Sequence, residues 1–279
     1  MIFLELKPPF DRLWAGRDAF AAATELADTV APEAVVRNVE GRRTLRFELP
    51  GRACYLKLQN GIGWKRIGED LLRLRRPILG ASNEWHAIQA FDRYAIPTMT
   101  ALACGERGRG PAGRESFLIT EAVEPAIDLD SYTRDWRTAP PFPPFKRALI
   151  REVAEIARRM HENGLNHRDF YLCHLLLKLD TAPSVESIRL AVIDLHRVQI
   201  RRHTPLRWRF KDLAALFFSA LEIGLTRRDY FRFLQVYFSD TLRGILKKHK
   251  KLLAALEREA ARLQVRYARK FAHRPPLQR

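Results

Sequence analysis

Two aspartates of this chain have the residue type and the setting that phosphoryl transfer requires. Asp169 lies in a polar stretch, His167-Arg-Asp169, and Asp194 ends a short apolar run, Leu190-Ala-Val-Ile-Asp194. Phosphoryl transfer needs a carboxylate that orients the attacking hydroxyl and accepts its proton, and it needs acidic ligands for Mg²⁺. We therefore predict that Asp169 is the catalytic base and that Asp194 binds Mg²⁺.

A cation for the nucleotide phosphates is present upstream. Lys57 lies between two apolar neighbours in a strand-like run, and Glu84 falls in the first turn of a predicted helix. In kinase-like sites a glutamate holds the phosphate-binding lysine, so we predict that Glu84 pairs with Lys57. The sequence has no G-x-G-x-x-G loop, and we expect backbone amides near Gly41, with Arg42 and Arg43, to cover the phosphates instead.

One position departs from the pattern of protein kinases. Five residues after Asp169, where those enzymes place a metal-binding Asn, this chain has His174. An imidazole can bind a divalent ion, although it suits Mg²⁺ less well than an amide oxygen does. His174 is therefore predicted either to bind the metal or to position the loop.

The predicted elements follow the order that is typical of protein-kinase-like enzymes. Short strands with a hairpin turn at Gly41 come first, and a helix from Phe145, which Gly164 can end, leads into the polar loop around Asp169. Asp212 and Thr226 are predicted caps of two later helices, and Leu242–Phe271 is predicted as one long basic helix. We expect an α+β, two-lobed fold with a small, mainly antiparallel β lobe and a larger, mainly α-helical lobe.

The boundary between the lobes is predicted near residue 121. A strand, Ser116–Thr120, runs into Glu121 and Val123, as in the adenine-binding hinge of a kinase. Residues 1–121, with a basic connector at 61–80, are the expected nucleotide-binding lobe, and residues 122–279 the expected catalytic and acceptor-binding lobe. Prolines between residues 140 and 144 are expected to form a connector that cannot be helical.

The positive charge is concentrated at one end of the chain. The formal net charge is +17, and residues 201–279 contain 20 Lys and Arg against 6 Asp and Glu. Such a region favours an acidic partner surface. The three cysteines show no CxxC spacing, and no apolar segment is long enough to span a membrane. We therefore expect a cytoplasmic protein that lies on a membrane surface at most.

Two other functions use some of the same residues. A set of metal-ligating side chains could bind zinc in a hydrolase, although its spacing matches no usual zinc pattern. That set is His167, Asp169, Cys173, His174, Asp194 and His196. The basic C-terminal region could instead bind nucleic acid, but its aromatic residues have core spacing and no nucleic-acid motif occurs.

Longer motifs carry a resemblance to a known family. The sequence is similar to the lipopolysaccharide core heptose(I) kinases of Gram-negative bacteria over nearly its whole length. The motifs that carry this resemblance are Asn166–Leu177, Leu190–Arg197, Lys211–Leu216, Gly61–Trp64, Pro77–Gly80 and Gly224–Asp229.

The resemblance implies ATP- and Mg²⁺-dependent phosphorylation of a hydroxyl on the first heptose of the inner core, at the cytosolic face of the inner membrane. It implies that Asp169 is the base and that a histidine at position 174 is normal. Because the acceptor carries phosphates and acidic sugars, Arg66, Arg73 and Arg76 are expected to help bind it. Acyl carrier protein is a further possible partner, and nucleic acid is not expected to be one.

Overall fold

The computed structural model describes residues 3–39, 41–61, 63, 64, 68, 72, 80–110 and 112–271 of the chain. The described residues form two compact units. The first comprises those up to Glu124 together with Asp194–Val198, and the second comprises Pro125–Ile193 with those from Gln199 onward. The first unit is built mainly from a sheet and the second mainly from helices, so the expected α+β class is confirmed.

The first unit is organised around one antiparallel sheet of six strands. The strands are β1 (Phe3–Leu6), β2 (Val35–Val39), β3 (Arg42–Leu49), β4 (Arg52–Gln59), β5 (Ala101–Arg107) and β6 (Glu115–Glu121). Their order in the sheet is β1-β5-β6-β4-β3-β2. Gly41 joins β2 to β3 at φ +77°, a left-handed conformation that glycine adopts without strain, so the predicted hairpin turn is confirmed.

Two helices precede the hairpin. They are α1 (Phe10–Leu13) and α2 (Ala19–Thr29). Gly16 turns the chain between them at φ +72°, and the Asp18 carboxylate then accepts a hydrogen bond from the backbone N–H of Phe20. This side-chain cap stabilises the start of α2. The apolar face of the helix packs against apolar residues of the sheet.

The next helix, α3 (Ser82–Arg93), carries Glu84 in its first turn. No side chain of its own segment caps its start. Glu106 of β5 instead accepts a hydrogen bond from the Ser82 N–H at 3.3 Å. A Cβ on Gly80 would lie 2.3 Å from the Glu106 Oε2, so a larger residue at this position would displace the carboxylate. The sheet therefore fixes where α3 begins.

The second unit consists mainly of helices. They are α4 (Leu129–Tyr132), α5 (Pro143–Glu162), α6 (Leu206–Ser219), α7 (Arg227–Phe238), α8 (Leu242–Lys248) and α9 (Lys250–Phe271). Pro143 and Pro144 stand in the first turn of α5, so the prediction that these prolines cannot be helical was wrong. The first-turn N–H groups of a helix have no intrahelical partner, and proline fits there because it has none.

The predictions for the C-terminal helices are confirmed in part. Thr226 and Asp229 form the capping box that begins α7, as the prediction of a Thr226 cap requires. The predicted single helix over 242–271 is broken at His249, which adopts a non-helical conformation and stacks on Phe238 with ring centroids 4.1 Å apart. This aromatic contact fixes the break between α8 and α9.

Short strands of the second unit frame the polar loop around Asp169. They are β7 (Ala126–Asp128), β8 (Leu165–Asn166), β9 (Leu175–Lys178), β10 (Leu190–Val192) and β11 (Gln199–Ile200). β9 pairs with both β7 and β10, and β8 pairs with β11, all antiparallel. Asp169 thus lies in the segment between β8 and β9, and each of these strands is paired with other strands.

A cavity of about 510 Å³ lies among the helices of the second unit. Its lining is mainly apolar and includes Ile150, Val153, Leu213, Phe217 and Leu253. Such a lining suits apolar groups and does not suit the charged groups that phosphoryl transfer involves. Among the described residues, no helix is long and apolar enough to cross a membrane.

Candidate active site

Lys57 and Glu84 form an ion pair inside the first unit. The Lys57 Nζ donates to the Glu84 Oε1 at 2.6 Å, and the Glu84 side chain is only 3% exposed. Lys57 reaches Glu84 from β4, and α3 presents Glu84 because its start is fixed by Glu106. A carboxylate this deeply buried is stable as an anion only beside a cation, so the two positions depend on each other.

Lys57 and Glu84 line a narrow cleft in this unit. Arg42 of β3, Gln59 of β4 and His196 share the lining. Gly41 directly precedes Arg42, and its carbonyl oxygen accepts a hydrogen bond from the Asn60 N–H at 2.9 Å, which joins the hairpin turn to the end of β4. The cleft thus places positive side chains beside the hairpin that the sequence predicted to cover phosphates.

Asp194 belongs to the same unit as Lys57. It adopts the left-handed conformation at φ 62° and ψ 49°, which is rare for a residue with a Cβ. Its Oδ1 pairs with the Nδ1 of His196 at 2.5 Å. Asn83 of α3 donates to the backbone carbonyls of His196 and Val198, so α3 anchors the segment that carries Asp194.

In the second unit, Asp212 holds the loop that contains Asp169. Its Oδ2 accepts from the backbone N–H of His167 at 2.7 Å, and its Oδ1 accepts from that of Arg168 at 2.8 Å. Arg168 has φ 74°, an unfavourable conformation for which these bonds compensate. The prediction that Asp212 caps a helix was therefore wrong, because it is a fully buried residue inside α6, which begins after Pro205.

Two more buried side chains support Asp212. The His161 Nε2 lies 3.2 Å from the Asp212 Oδ2, and the His161 Nδ1 lies 2.7 Å from the hydroxyl of Tyr237. Burial raises the pKa of Tyr237 above its usual value, so the hydroxyl keeps its proton and can donate it to Nδ1. The Nε2–H of His161 then points to Asp212, and α5, α6 and α7 all help to fix the loop.

Asp169 and His174 both lie in this loop. The His174 Nδ1 is 2.7 Å from the backbone carbonyl of Asp169, so Nδ1 carries the proton that this contact requires. The rings of His167 and His174 stack with centroids 5.7 Å apart. Burial lowers the pKa of His167, whose Nε2 donates to the carbonyl of Ile193 at 3.0 Å. Both imidazoles are thus turned to backbone carbonyls and hold the loop in place.

The structure describes two of the remaining predicted site residues and does not describe the other three. Glu121 ends β6, and its Oε2 lies 3.9 Å from the Nη1 of Arg52. Val123 follows in the segment after this strand. Arg66, Arg73 and Arg76 lie outside the described residues.

The comparisons with known proteins decide which family these residues belong to. The family model described as "Lipopolysaccharide kinase (Kdo/WaaP) family" matches residues 29–237, which is more than half of the chain. The chain belongs to this family. The two-unit architecture of this Kdo/WaaP-family chain is accordingly a kinase-like two-lobe fold.

Curated relatives match nearly end to end. The lipopolysaccharide core heptose(I) kinase WaaP of Pseudomonas aeruginosa PAO1 is 51% identical over 266 residues, which cover 95% of this Kdo/WaaP-family chain and 97% of that protein. The WaaP kinase of Escherichia coli K12 is 46% identical over 267 residues, covering 96% and 99%. A solved structure of WaaP in complex with acyl carrier protein is 47% identical with a TM-score of 0.81, and the match covers 94% of this chain and 99% of that one.

A zinc hydrolase is not favoured for a Kdo/WaaP-family chain. Within the described part of the chain, no three His, Cys, Asp or Glu side chains converge as metal ligands would. Cys173 is exposed, and the ring of His167 is turned to the Ile193 carbonyl. The Nδ1 of His174 is likewise turned to the Asp169 carbonyl, and the Nδ1 of His196 pairs with Asp194.

Sequence reasoning missed the residues that position the loop in this Kdo/WaaP-family chain. Asp212, His161 and Tyr237 are each buried and polar, yet Asp212 was predicted only as a cap. The available signal was a charged residue within the apolar run of α6, because an unpaired carboxylate there is too costly to bury.

Proposed function

We propose that this chain transfers the γ-phosphoryl group of ATP to a hydroxyl on the first heptose of the lipopolysaccharide inner core. The observation that carries this proposal is the buried Lys57–Glu84 ion pair in the first unit. In the second unit, the Asp212-anchored loop around Asp169 supplies the base. Membership of a lipopolysaccharide kinase family and the heptose(I) kinase names of its relatives give the acceptor.

Each residue has a role that follows from its chemistry. Asp169 orients the heptose hydroxyl and accepts its proton, since a carboxylate is the base that phosphoryl transfer needs. Lys57 contacts the phosphates of ATP, and Glu84 keeps the ammonium group pointed at them. Residues 1–121 hold the nucleotide, with the adenine near Glu121 and Val123 and the phosphates near Gly41, whereas residues 122–279 hold the acceptor and the catalytic loop.

Asp194 has the donor chemistry that suits Mg²⁺. Asp194 offers a carboxylate that is one-third exposed and oriented by His196. In His174, Nδ1 is turned to the Asp169 carbonyl, so Nε2 is the ring nitrogen that we propose binds the ion. Asp194 would hold the ion, with His174 as a second ligand, and a bound Mg²⁺ neutralises charge that builds up on the phosphates.

The acceptor and its surroundings explain the basic surface. Arg66, Arg73 and Arg76 are proposed to bind acidic groups of the core. Acyl carrier protein, which binds a relative of this chain in a solved structure, is a proposed partner here as well. The excess of positive charge after residue 200 suits this acidic protein and the anionic face of the inner membrane, on which we propose that the chain lies peripherally.

The test is phosphate incorporation from ATP into core oligosaccharide that lacks the heptose phosphate, with the position read by NMR. The wild-type chain should phosphorylate heptose, and Asp169→Ala should lower kcat by about three orders of magnitude or more, because base and positioning are lost together. Asp135→Ala, which removes an exposed carboxylate, is the matched control. If Asp169→Ala turned over as fast as this control, Asp169 would not be the base.

A further inference from the structure

Four cationic side chains surround the indole of Trp208 in the second unit. The distance to the ring centroid is 5.5 Å from the guanidinium of Arg168, 5.5 Å from that of Arg201, 5.3 Å from that of Arg207 and 4.8 Å from the ammonium group of Lys211. We call these five residues the Trp208 cation cluster. A cation is attracted to the face of an indole, but like charges gathered around one ring also repel each other.

The position of the cluster on α6 makes that repulsion greater. Trp208 and Arg207 stand in the first turn of the helix, where the partial charge is positive and acidic residues are preferred. This turn has no acidic residue and no side-chain cap. Arg207 and Lys211 are four residues apart on the helix, a spacing at which like charges destabilise it. An anion at this place would relieve each of these unfavourable terms.

Neighbouring groups hold the cluster and add further donors. The Arg201 guanidinium donates to the Asn166 Oδ1 and to the Gln199 Oε1, both at 2.6 Å. Asn166 is fully buried, and neither its Nδ2 nor the buried Trp208 Nε1 has a hydrogen-bond partner among the residues that the structure describes. Buried N–H groups are rarely left unpaired, and here both lie beside the cations, where oxygens of a bound anion could accept from them.

The cluster is adjacent to the proposed base. Arg168 directly precedes Asp169. The backbone N–H of Arg168 donates to the Asp212 Oδ1 at 2.8 Å, which fixes its position. A group bound by the cluster therefore lies close to the hydroxyl that Asp169 orients.

We propose that the Trp208 cation cluster is a binding site for an anionic group of the acceptor, a phosphate monoester or a sugar carboxylate next to the reacting heptose. This assignment rests on the proposed function and extends it by naming what orients the acceptor. Guanidinium and ammonium groups donate charge-assisted hydrogen bonds to both kinds of anion, so the cluster suits either group.

The test uses Arg207→Gln/Lys211→Gln, which removes two exposed cations and leaves the catalytic loop intact. Arg147→Gln/Arg151→Gln is the matched control, because these are also exposed cations four residues apart on a helix of the same unit. The KM for the native acceptor should rise about tenfold or more in the first variant, with the KM for ATP unchanged, since each lost charged hydrogen bond weakens binding substantially. The control should keep both KM values.

Chemically altered acceptors identify the anion. Phosphatase-treated acceptor should abolish the difference between variant and wild type if the group is a phosphate, and carboxyl-reduced acceptor should do so if it is a carboxylate. Equal KM values for the variant and its control, or a difference that neither treatment changes, would overturn the proposal.

A second measurement does not depend on catalysis. Inorganic phosphate, compared with sodium chloride at equal ionic strength, should raise the Tm of the wild-type chain and of the control more than that of Arg207→Gln/Lys211→Gln. Equal gains in all three proteins would refute the anion site. If the wild-type chain failed to phosphorylate heptose while this difference in Tm held, the proposed function would fail and the anion site would stand.

Discussion

At the scale of single residues, the Lys57–Glu84 pair gives the most direct test of the first unit. Glu84→Gln leaves the shape of the side chain nearly unchanged but removes the charge that holds Lys57. Breaking one partner of a buried charge pair costs several kcal/mol, so kcat/KM for ATP should fall by about two orders of magnitude. Steady-state kinetics over a range of ATP concentrations would measure this loss.

Glu48→Gln is the control for that experiment. Glu48 lies in β3 of the same unit and pairs with Arg46, but its side chain is 63% exposed. An exposed ion pair contributes little, so this variant should behave as wild type. If Glu84→Gln matched it, Lys57 would not depend on Glu84 for its place.

His167 links the stability of the chain to pH. Burial holds its pKa below the usual value of 6.5, so in the folded chain the ring stays neutral at pH values where the unfolded chain binds a proton. The unfolded state therefore takes up more protons as the pH falls below about 6.5, and the free energy of unfolding decreases there. At pH 7 and above this contribution to stability is fully present.

Urea denaturation at several pH values would test this. The free energy of unfolding of the wild-type chain should drop between pH 7 and pH 5 more than that of His167→Asn, which cannot take up the proton. His203→Asn is a control, because His203 is exposed. Identical pH dependence in the wild-type chain and in His167→Asn would show that burial of His167 does not control it.

At the scale of elements, α6 both carries part of the core and anchors the loop. Asp212→Ala would leave the N–H groups of His167 and Arg168 buried without their acceptor. Each such group costs about 1–3 kcal/mol, so the free energy of unfolding should fall by about 2–6 kcal/mol. The kcat should fall as well, because Arg168 would no longer be held at its positive φ. Denaturation and turnover of the same preparation measure both effects.

A conservative variant separates positioning from folding. Asp212→Asn keeps one carbonyl oxygen, so it should retain more of the stability than Asp212→Ala while its kcat remains low. Tyr237→Phe, which removes only the donor to His161, should lower kcat less than either. Full activity in Asp212→Asn would contradict the positioning role.

The elements also show what sequence could and could not predict. The hairpin at Gly41 and the Thr226 cap were predictable, because a turn glycine and a capping threonine act on backbone within a few residues of themselves. The contact between Lys57 and Glu84 was predicted from the kinase-like arrangement, in which a glutamate of a helix holds the phosphate-binding lysine of a strand. The role of Asp212 could not be predicted from its neighbours, since the N–H groups that it binds belong to residues 167 and 168.

Element boundaries failed for the same physical reason. The start of α3 depends on Glu106 of another strand, and the break at His249 depends on its stacking with Phe238. Pro143 and Pro144 were wrongly excluded from α5, because the rule against helical proline does not apply in the first turn. Tertiary contacts decided the first two cases and are not visible in a local pattern, whereas the position of the prolines within α5 decided the third.

At the scale of the whole molecule, the concentration of charge after residue 200 makes membrane association testable. The chain should bind vesicles that contain anionic lipid and should not bind zwitterionic ones. Each basic residue near an anionic surface contributes about 1 kcal/mol, and the contribution is screened within about 8 Å at physiological salt. Co-sedimentation with vesicles at low and high salt would measure the binding, which should weaken as salt rises.

A pair of variants decides whether the location of the charge matters or only its sum. Lys247→Gln/Lys251→Gln/Arg258→Gln removes three exposed cations from α8 and α9, and Arg12→Gln/Arg37→Gln/Arg93→Gln removes three from the first unit. The net charge is the same in both, so a membrane face formed by the C-terminal helices predicts that only the first variant loses affinity. Equal losses would mean that net charge alone drives the association. In that case the basic helices would be available to bind acyl carrier protein or the acceptor instead.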